Sequence, residues 1–278
     1  TTLFRSNRSV LEKNQTRLLV DYYRIRRRIA FPLPVDKFYE VKIPSKSISG
    51  YPWSIWMIWR LEERFHALYN GFAIEKDQTC GNLLFRELEL FSEWATYNQL
   101  LNKPDLSTGH CGRILYVALN HWKGIPESVR EKLKKACLNL AEENIPRAET
   151  YFKGVTSVEF ILNEPKPKDY LHNIGYIGSI GMVLCLKSID DKRYLKWLET
   201  LKIVFRALVI YSREKGYTEG IAYDGYLMDF FLPLVELMTP AEQKELLDND
   251  VVRNIMDQVI HSSVAGDAGC VAALGDVE

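Results

Sequence analysis

The chain has 278 residues, 47% of them hydrophobic and 12% aromatic, which supplies one large core or two smaller ones. Its 36 basic residues balance 36 acidic ones, so the molecule as a whole has no field that would draw nucleic acid or an anionic membrane, and any polyanion must be held by local charge. Cys80, Cys111, Cys137, Cys185 and Cys270 are scattered, without the spacing of a zinc or redox motif, and read as small buried hydrophobes.

Helical periodicity dominates. Taken in chain order, the predicted helices are Ser9–Ala30, Trp53–Phe72, Gly81–Leu101, Gly109–Trp122, Pro126–Glu143, Tyr170–Ser188, Tyr194–Tyr211, Tyr223–Met238 and Pro240–Ser262. Between Tyr194 and Tyr211 the residues Trp197, Leu198, Leu201, Val204, Phe205 and Leu208 make one apolar stripe, with Lys196, Glu199, Lys202 and Arg206 between them. Pro126 suits a first helical turn, and Thr239-Pro240-Ala241-Glu242 reads as a cap followed by proline. Pro-, Gly- and Asn-rich breaks fall at Phe31–Gly50, Asn102–Thr108, Gly154–Lys168 and Gly216–Gly220. Gly154–Leu162 is the one stretch that alternates as a strand. The longest uncharged apolar run, Ile174–Leu186, is too short to span a bilayer, and no signal-peptide pattern occurs. Ser263–Glu278, rich in Gly, Ala and Val, reads as a linker or the beginning of a β domain. The fold expectation is therefore all-α over residues 1–262, with 263–278 set apart. Periodicity does not choose among bundle, solenoid and toroid.

Three segments crowd polar, aromatic and glycine residues at helix starts, where free backbone N–H groups and side chains share a mouth. In Tyr217–Tyr226, Tyr223 and Tyr226 share a helix face, with Glu219 and Asp224 as charged neighbours. A tyrosine can act as base and acid if a cation lowers its pKa, and equally such tyrosines pack a core. In Tyr170–Gly181, Asn173 can donate to a carboxylate and His172 can move a proton. Gly175, Gly178 and Gly181 recur every third residue, allowing close backbone approach or leaving room for a ligand. In Asp105–Arg113, Ser107 or Thr108 can cap the helix, and His110 and Arg113 share a face, with Arg113 suited to bidentate carboxylate binding. A fourth segment, Tyr51–Arg64, holds three tryptophans in two turns. Trp56, Arg60 and Glu63 share a face that can line a sugar-binding groove, although most such tryptophans are core. No third residue at useful spacing makes a metal site of His110 and Cys111.

Together these segments resemble the heparinase II/III-like polysaccharide lyases. Glu219-Gly220-Ile221-Ala222-Tyr223-Asp224-Gly225-Tyr226 is similar to that family's Glu-Gly-x-x-Tyr-x-x-Tyr motif, and His172-Asn173 with its following glycines is similar to the start of an inner helix. The tryptophan run and Asp105-Leu106-Ser107-Thr108-Gly109-His110 occur in the expected order. The resemblance implies an incomplete (α/α) toroid of helical hairpins followed by a β-sandwich domain of the same protein, and β-elimination on uronic-acid glycans such as heparan sulfate or alginate. It implies an acidic polysaccharide or oligosaccharide as partner, no cofactor, and a periplasmic or secreted setting. It implies catalytic roles for Asn173 as carboxylate neutraliser and Tyr223 as base or acid, with His172 beside them. Tyr226, Glu219, His110, Arg113, Trp56 and Arg60 then contact substrate. The pattern departs at Ile174, where the family often has a second Asn and an aromatic nearby. Two other readings stand: an inverting glycoside hydrolase on a similar toroid, using two of Glu219, Asp224 and Glu159, and a non-catalytic glycan-binding helical module.

Overall fold

A computed structural model of the chain describes residues 53–94, 106–215 and 229–249. Among these residues there is helix and no strand. The helices are α1 (Trp53–Ala73), α2 (Gln78–Trp94), α3 (Leu106–Asn120), α4 (Glu127–Tyr151), α5 (Val158–Leu162), α6 (Lys168–Leu171), α7 (Asn173–Ser188), α8 (Arg193–Lys215), α9, described over residues 229–235, and α10 (Pro240–Leu247). No helix among the described residues is long and apolar enough to cross a membrane. The chain divides into two compact units, residues 1–103 with 117–139 and residues 104–116 with 140–278.

In the first unit α1 and α2 form a helical hairpin. Its turn is short because Lys76 takes a left-handed conformation (φ 59°) and Asp77 accepts a hydrogen bond from the Thr79 N–H at 2.9 Å. Ile58, Leu61, Phe65 and Leu68 of α1 meet Leu84, Leu88 and Phe91 of α2, all of them buried, with the Phe65 and Phe91 rings edge to face at 5.5 Å. One charge pair crosses this hairpin: Arg64 donates through Nε to Glu87 Oε2 at 2.6 Å and through Nη2 to Oε1. Glu87 is 2% exposed, so the two-pronged pairing is what allows a carboxylate there. Tyr69 stacks on Trp122 at 4.8 Å, and its hydroxyl accepts from the Lys123 N–H.

The second unit is organised around α7. This helix is apolar on every side, and its residues from Gly175 to Leu186 are buried except for Gly178, the pattern of a helix enclosed by others. α8 packs against α5, α6 and α7, supplying Trp197, Leu198, Leu201, Val204 and Phe205 as the predicted stripe requires. Lys202 lies within that region at 6% exposure, where Nζ reaches Glu199 at 2.5 Å and Glu242 of α10 at 2.6 Å. Burial works against the ammonium, yet these two carboxylates outweigh it and hold its pKa above the ordinary lysine value. α10 begins as the sequence indicates: Thr239 and Glu242 form a reciprocal capping box with Pro240 in the first turn.

Several boundaries differ from expectation. Gly154–Leu162 is not a strand; residues 158–162 are the short helix α5, because Ser157 caps it by accepting from the Phe160 N–H. α4 does not stop at Glu143 but runs through Pro146 to Tyr151. Buried Ala141, Asn144 and Ala148 continue its inward face across the proline, and tertiary burial outweighs the roughly 3 kcal/mol that an internal proline costs. The predicted helix Tyr170–Ser188 is two, α6 and α7, parted at His172 by an extended backbone (ψ 137°). α3 starts at Leu106, so Ser107 and Thr108 are inside its first turn instead of capping it. α10 ends at Leu247, short of Ser262, in a turn at Asp248. The predicted helix Ser9–Ala30 and the segment 263–278 lie outside the described residues.

Glu242 gives the fold an acid sensitivity of known sign. Its bond from Lys202, and then those from the Thr239 backbone and hydroxyl, lower its pKa from 4.5 to about 2. A depressed carboxylate stabilises the folded state above its unfolded pKa and loses that contribution as pH falls toward the folded one. The melting temperature of Glu242→Gln should therefore lie below that of the parent chain at pH 7, and the gap should close as pH falls from 4.5 toward about 2. A gap independent of pH would contradict this.

Candidate functional site

Two of the three chemically rich segments that the structure describes meet at glycines. A Cβ built on Gly112 would lie 2.5 Å from Gly181 Cα, and one built on Gly181 would lie 2.7 Å from both Gly109 Cα and the Thr108 carbonyl oxygen. The backbones of α3 and α7 thus approach at a distance that admits no side chain between them. The third segment, 216–228, lies outside the described residues, and with it Tyr223, Tyr226, Glu219 and Asp224. Its point of exit is described, however. Gly109 also touches the ring of Phe230, four residues beyond Tyr226, where an added Cβ would be 3.0 Å from Cε1.

His110 and Arg113 share a face of α3, as their spacing indicates, and both address Phe230. The His110 ring meets it edge to face at 4.7 Å, and the Arg113 guanidinium lies over it at 4.4 Å. Arg113 also donates to the Asp229 carbonyl oxygen at 2.9 Å. His110 is 1% exposed. Both thus hold Phe230, within the first described residues of α9.

Asn173 is the first residue of α7 and 4% exposed, and its Oδ1 has no hydrogen-bond partner among the described residues. His172, immediately before it, is exposed, and its carbonyl oxygen accepts from the Gly175 N–H at 3.2 Å. Adjacent in the chain, the two differ in environment because the helix begins between them. Trp56 and Arg60 are in α1, in the other unit, and their side chains lie outside the described residues. Glu159 is exposed in the first turn of α5, where its own backbone N–H and then Ser157 hold its pKa below the ordinary value. That is a capping carboxylate, opposite in sense to the raised pKa a general acid needs. Among the described residues, no group of three or more His, Cys, Asp and Glu could hold a metal ion.

The structure adds residues that periodicity alone passed over. Because α4 continues through Pro146, Asn144, Arg147 and Tyr151 fall three and four residues apart on one face. They line a small recess of about 10 Å³, partly open to solvent, whose other wall is Gly175, Gly178 and Ser179 of α7. Tyr151 packs on the Gly175 backbone so closely that a Cβ there would fall within its ring. The third-residue glycine repeat of α7 thus does two things. Gly175 and Gly181 accept close neighbours, while Gly178 leaves space. The signal was the polar run Asn144–Tyr151, visible only once proline is allowed inside a helix.

Asn173 permits a direct test of what its burial costs. A buried amide oxygen without a partner is penalised by about 1–3 kcal/mol. Asn173→Leu should therefore leave urea-denaturation stability unchanged or raise it by up to about 1 kcal/mol. A loss above about 2 kcal/mol would show that the amide supports the fold instead. Comparison of the chain with protein-family models, with curated proteins and with solved structures returns no match.

Proposed function

We propose that the chain is the helical, substrate-binding part of a polysaccharide lyase that cleaves uronic-acid glycans by β-elimination, on an incomplete (α/α) toroid completed by a β-sandwich domain. One observation carries this reading. Gly109 joins α7, which opens with Asn173, to Phe230, just beyond the Tyr223 segment. Ile177 of α7 and Phe230, some 50 residues apart in sequence, both lie against Gly109 of α3. The helical hairpin of α1 and α2, the helical character of the described residues and the buried amide of Asn173 at a helix start agree with it.

The chemistry sets what each group must do. The C5 proton of a uronate is poorly acidic until the charge on the C6 carboxylate is dispersed. Asn173 supplies that dispersal through its amide N–H groups, since turning the amide plane by half exchanges nitrogen for oxygen at the same position. Tyr223 then takes the C5 proton, with His172 as the neighbouring group able to carry it. The C5–H electron pair becomes the C4–C5 double bond, the C4–O4 bond breaks, and O4 is protonated by an acid, for which Tyr223 is again the candidate. Tyr226 and Glu219 flank this position along the chain, and Arg113 and His110 hold the base of the segment that carries it.

Elimination leaves an ultraviolet-absorbing unsaturated product, whereas hydrolysis leaves saturated sugars. The protein including its sandwich domain should generate such absorbance from at least one of heparan sulfate, alginate and polyguluronate. Asn173→Ala should reduce kcat/KM by about 10²–10³-fold, the magnitude typical of losing one charge-stabilising donor. Saturated products, or none from any of these glycans, would overturn the proposal.

A further inference from the structure

We infer that α10 is a charge-fastened strap, a short helix held on α8 by ion pairs, which closes the C-terminal end of α9 and comes free as a unit when ionic strength rises. The device is independent of any glycan chemistry.

At 8 residues, α10 is shorter than the roughly 12–15 at which a helix begins to hold in water on its own, so it persists only while docked. Little apolar surface docks it. Pro240 and Ala241 are exposed, and Leu246 is the buried apolar residue among its described side chains. Charge crosses to α8 instead, at two successive turns. Lys202 Nζ reaches Glu242 at 2.6 Å. One turn on, Arg206 grips Glu245 with both prongs, Nε to Oε1 at 3.2 Å and Nη2 to Oε2 at 3.1 Å. The spacings put Lys202 and Arg206 on one face of α8, and Glu242 and Glu245 on one face of α10, so the two pairs form a single seam. The Lys202 side chain is buried, whereas those of Arg206 and Glu245 reach solvent. An ammonium covered by α10 loses the water that would otherwise solvate it, and Glu199 and Glu242 offset that loss through their charge. Dissolved ions favour the separated charges and so loosen the seam, whereas the apolar packing around α7 is not screened.

α10 in turn holds α9. Gln243 Nε2 donates to the carbonyl oxygens of Val235 and Met238, each at 3.1 Å, where α9 ends and the chain turns. Carbonyls at a helix end are short of donors, and one amide of α10 serves two of them. A released α10 therefore takes the stop of α9 with it.

The test is amide hydrogen exchange of the 278-residue chain, read by mass spectrometry in sodium chloride at about 0.1 M and about 1 M, between which the screening length falls from about 10 Å to about 3 Å. Peptides from α10 and from the 236–239 turn should exchange at least about tenfold faster at the higher salt, and peptides from α7 should not. Arg206→Gln, at a half-exposed position, should speed α10 exchange at low salt and reduce its salt response. Lys202→Met, which keeps the stem and removes the buried charge, should remove most of that response. Should Lys202→Met fail to fold, Arg206→Gln keeps the test decisive, and melting temperature checks both. Exchange of α10 that ignores salt, that rises only in step with α7, that leaves the 236–239 turn unmoved, or that keeps its full salt response in Arg206→Gln would each overturn the inference.

Discussion

The close contact of α3 with α7 is the constraint on which the second unit depends. At Gly109, Gly112 and Gly181 the two helices lie so close that an added Cβ would come within 3.0 Å of the neighbouring helix, nearer than real Cβ atoms come. Glycine in a helix costs about 0.5–1 kcal/mol relative to alanine, so three glycines in two adjoining helices are retained against a standing penalty. What offsets it is the enclosure of α7. An apolar helix with no polar face must be covered on all sides, and the small residues let α3 lie close enough to do it. The same part of α3 sets His110 and Arg113 against Phe230 of α9.

A second consequence concerns polar atoms. Ser107 Oγ, in the first turn of α3, and Asn173 Oδ1, at the start of α7, are both buried without a partner among the described residues. Lys202 shows the contrary solution within the same unit: a buried charge is retained with two carboxylates at 2.5 and 2.6 Å. The charge held within the packed helices is thus satisfied by the chain itself.

Much of the fold was legible because strong periodic signals and caps are local. The stripe from Trp197 to Leu208 and the Thr239–Glu242 capping box are found where the residues indicate. The misread boundaries share one cause, which is tertiary burial overriding a local breaker. Pro146 marks an end by its own chemistry, yet Asn144 and Ala148 on either side are buried and the helix passes through. Gly154–Leu162 reads as a strand, but Ser157 supplies a cap and Ile161 is drawn to 0% exposure on a single helical turn. Within the candidate site, the shared face of His110 and Arg113 was legible from a spacing of three. Their common partner Phe230 was not, since it lies more than 100 residues away. The recess formed by Asn144, Arg147 and Tyr151 was hidden twice, by the proline and by the need for α7 as its second wall.

We propose that Asn173 and Tyr223 act on the same sugar acid. A double-mutant cycle on kcat/KM for production of the unsaturated glycan measures this directly, using Asn173→Ala, Tyr223→Phe and both together. Residues that serve one transition state are strongly non-additive, so the double variant should lose little more than the worse single variant. Losses that multiply, as for two independent sites, would contradict the claim.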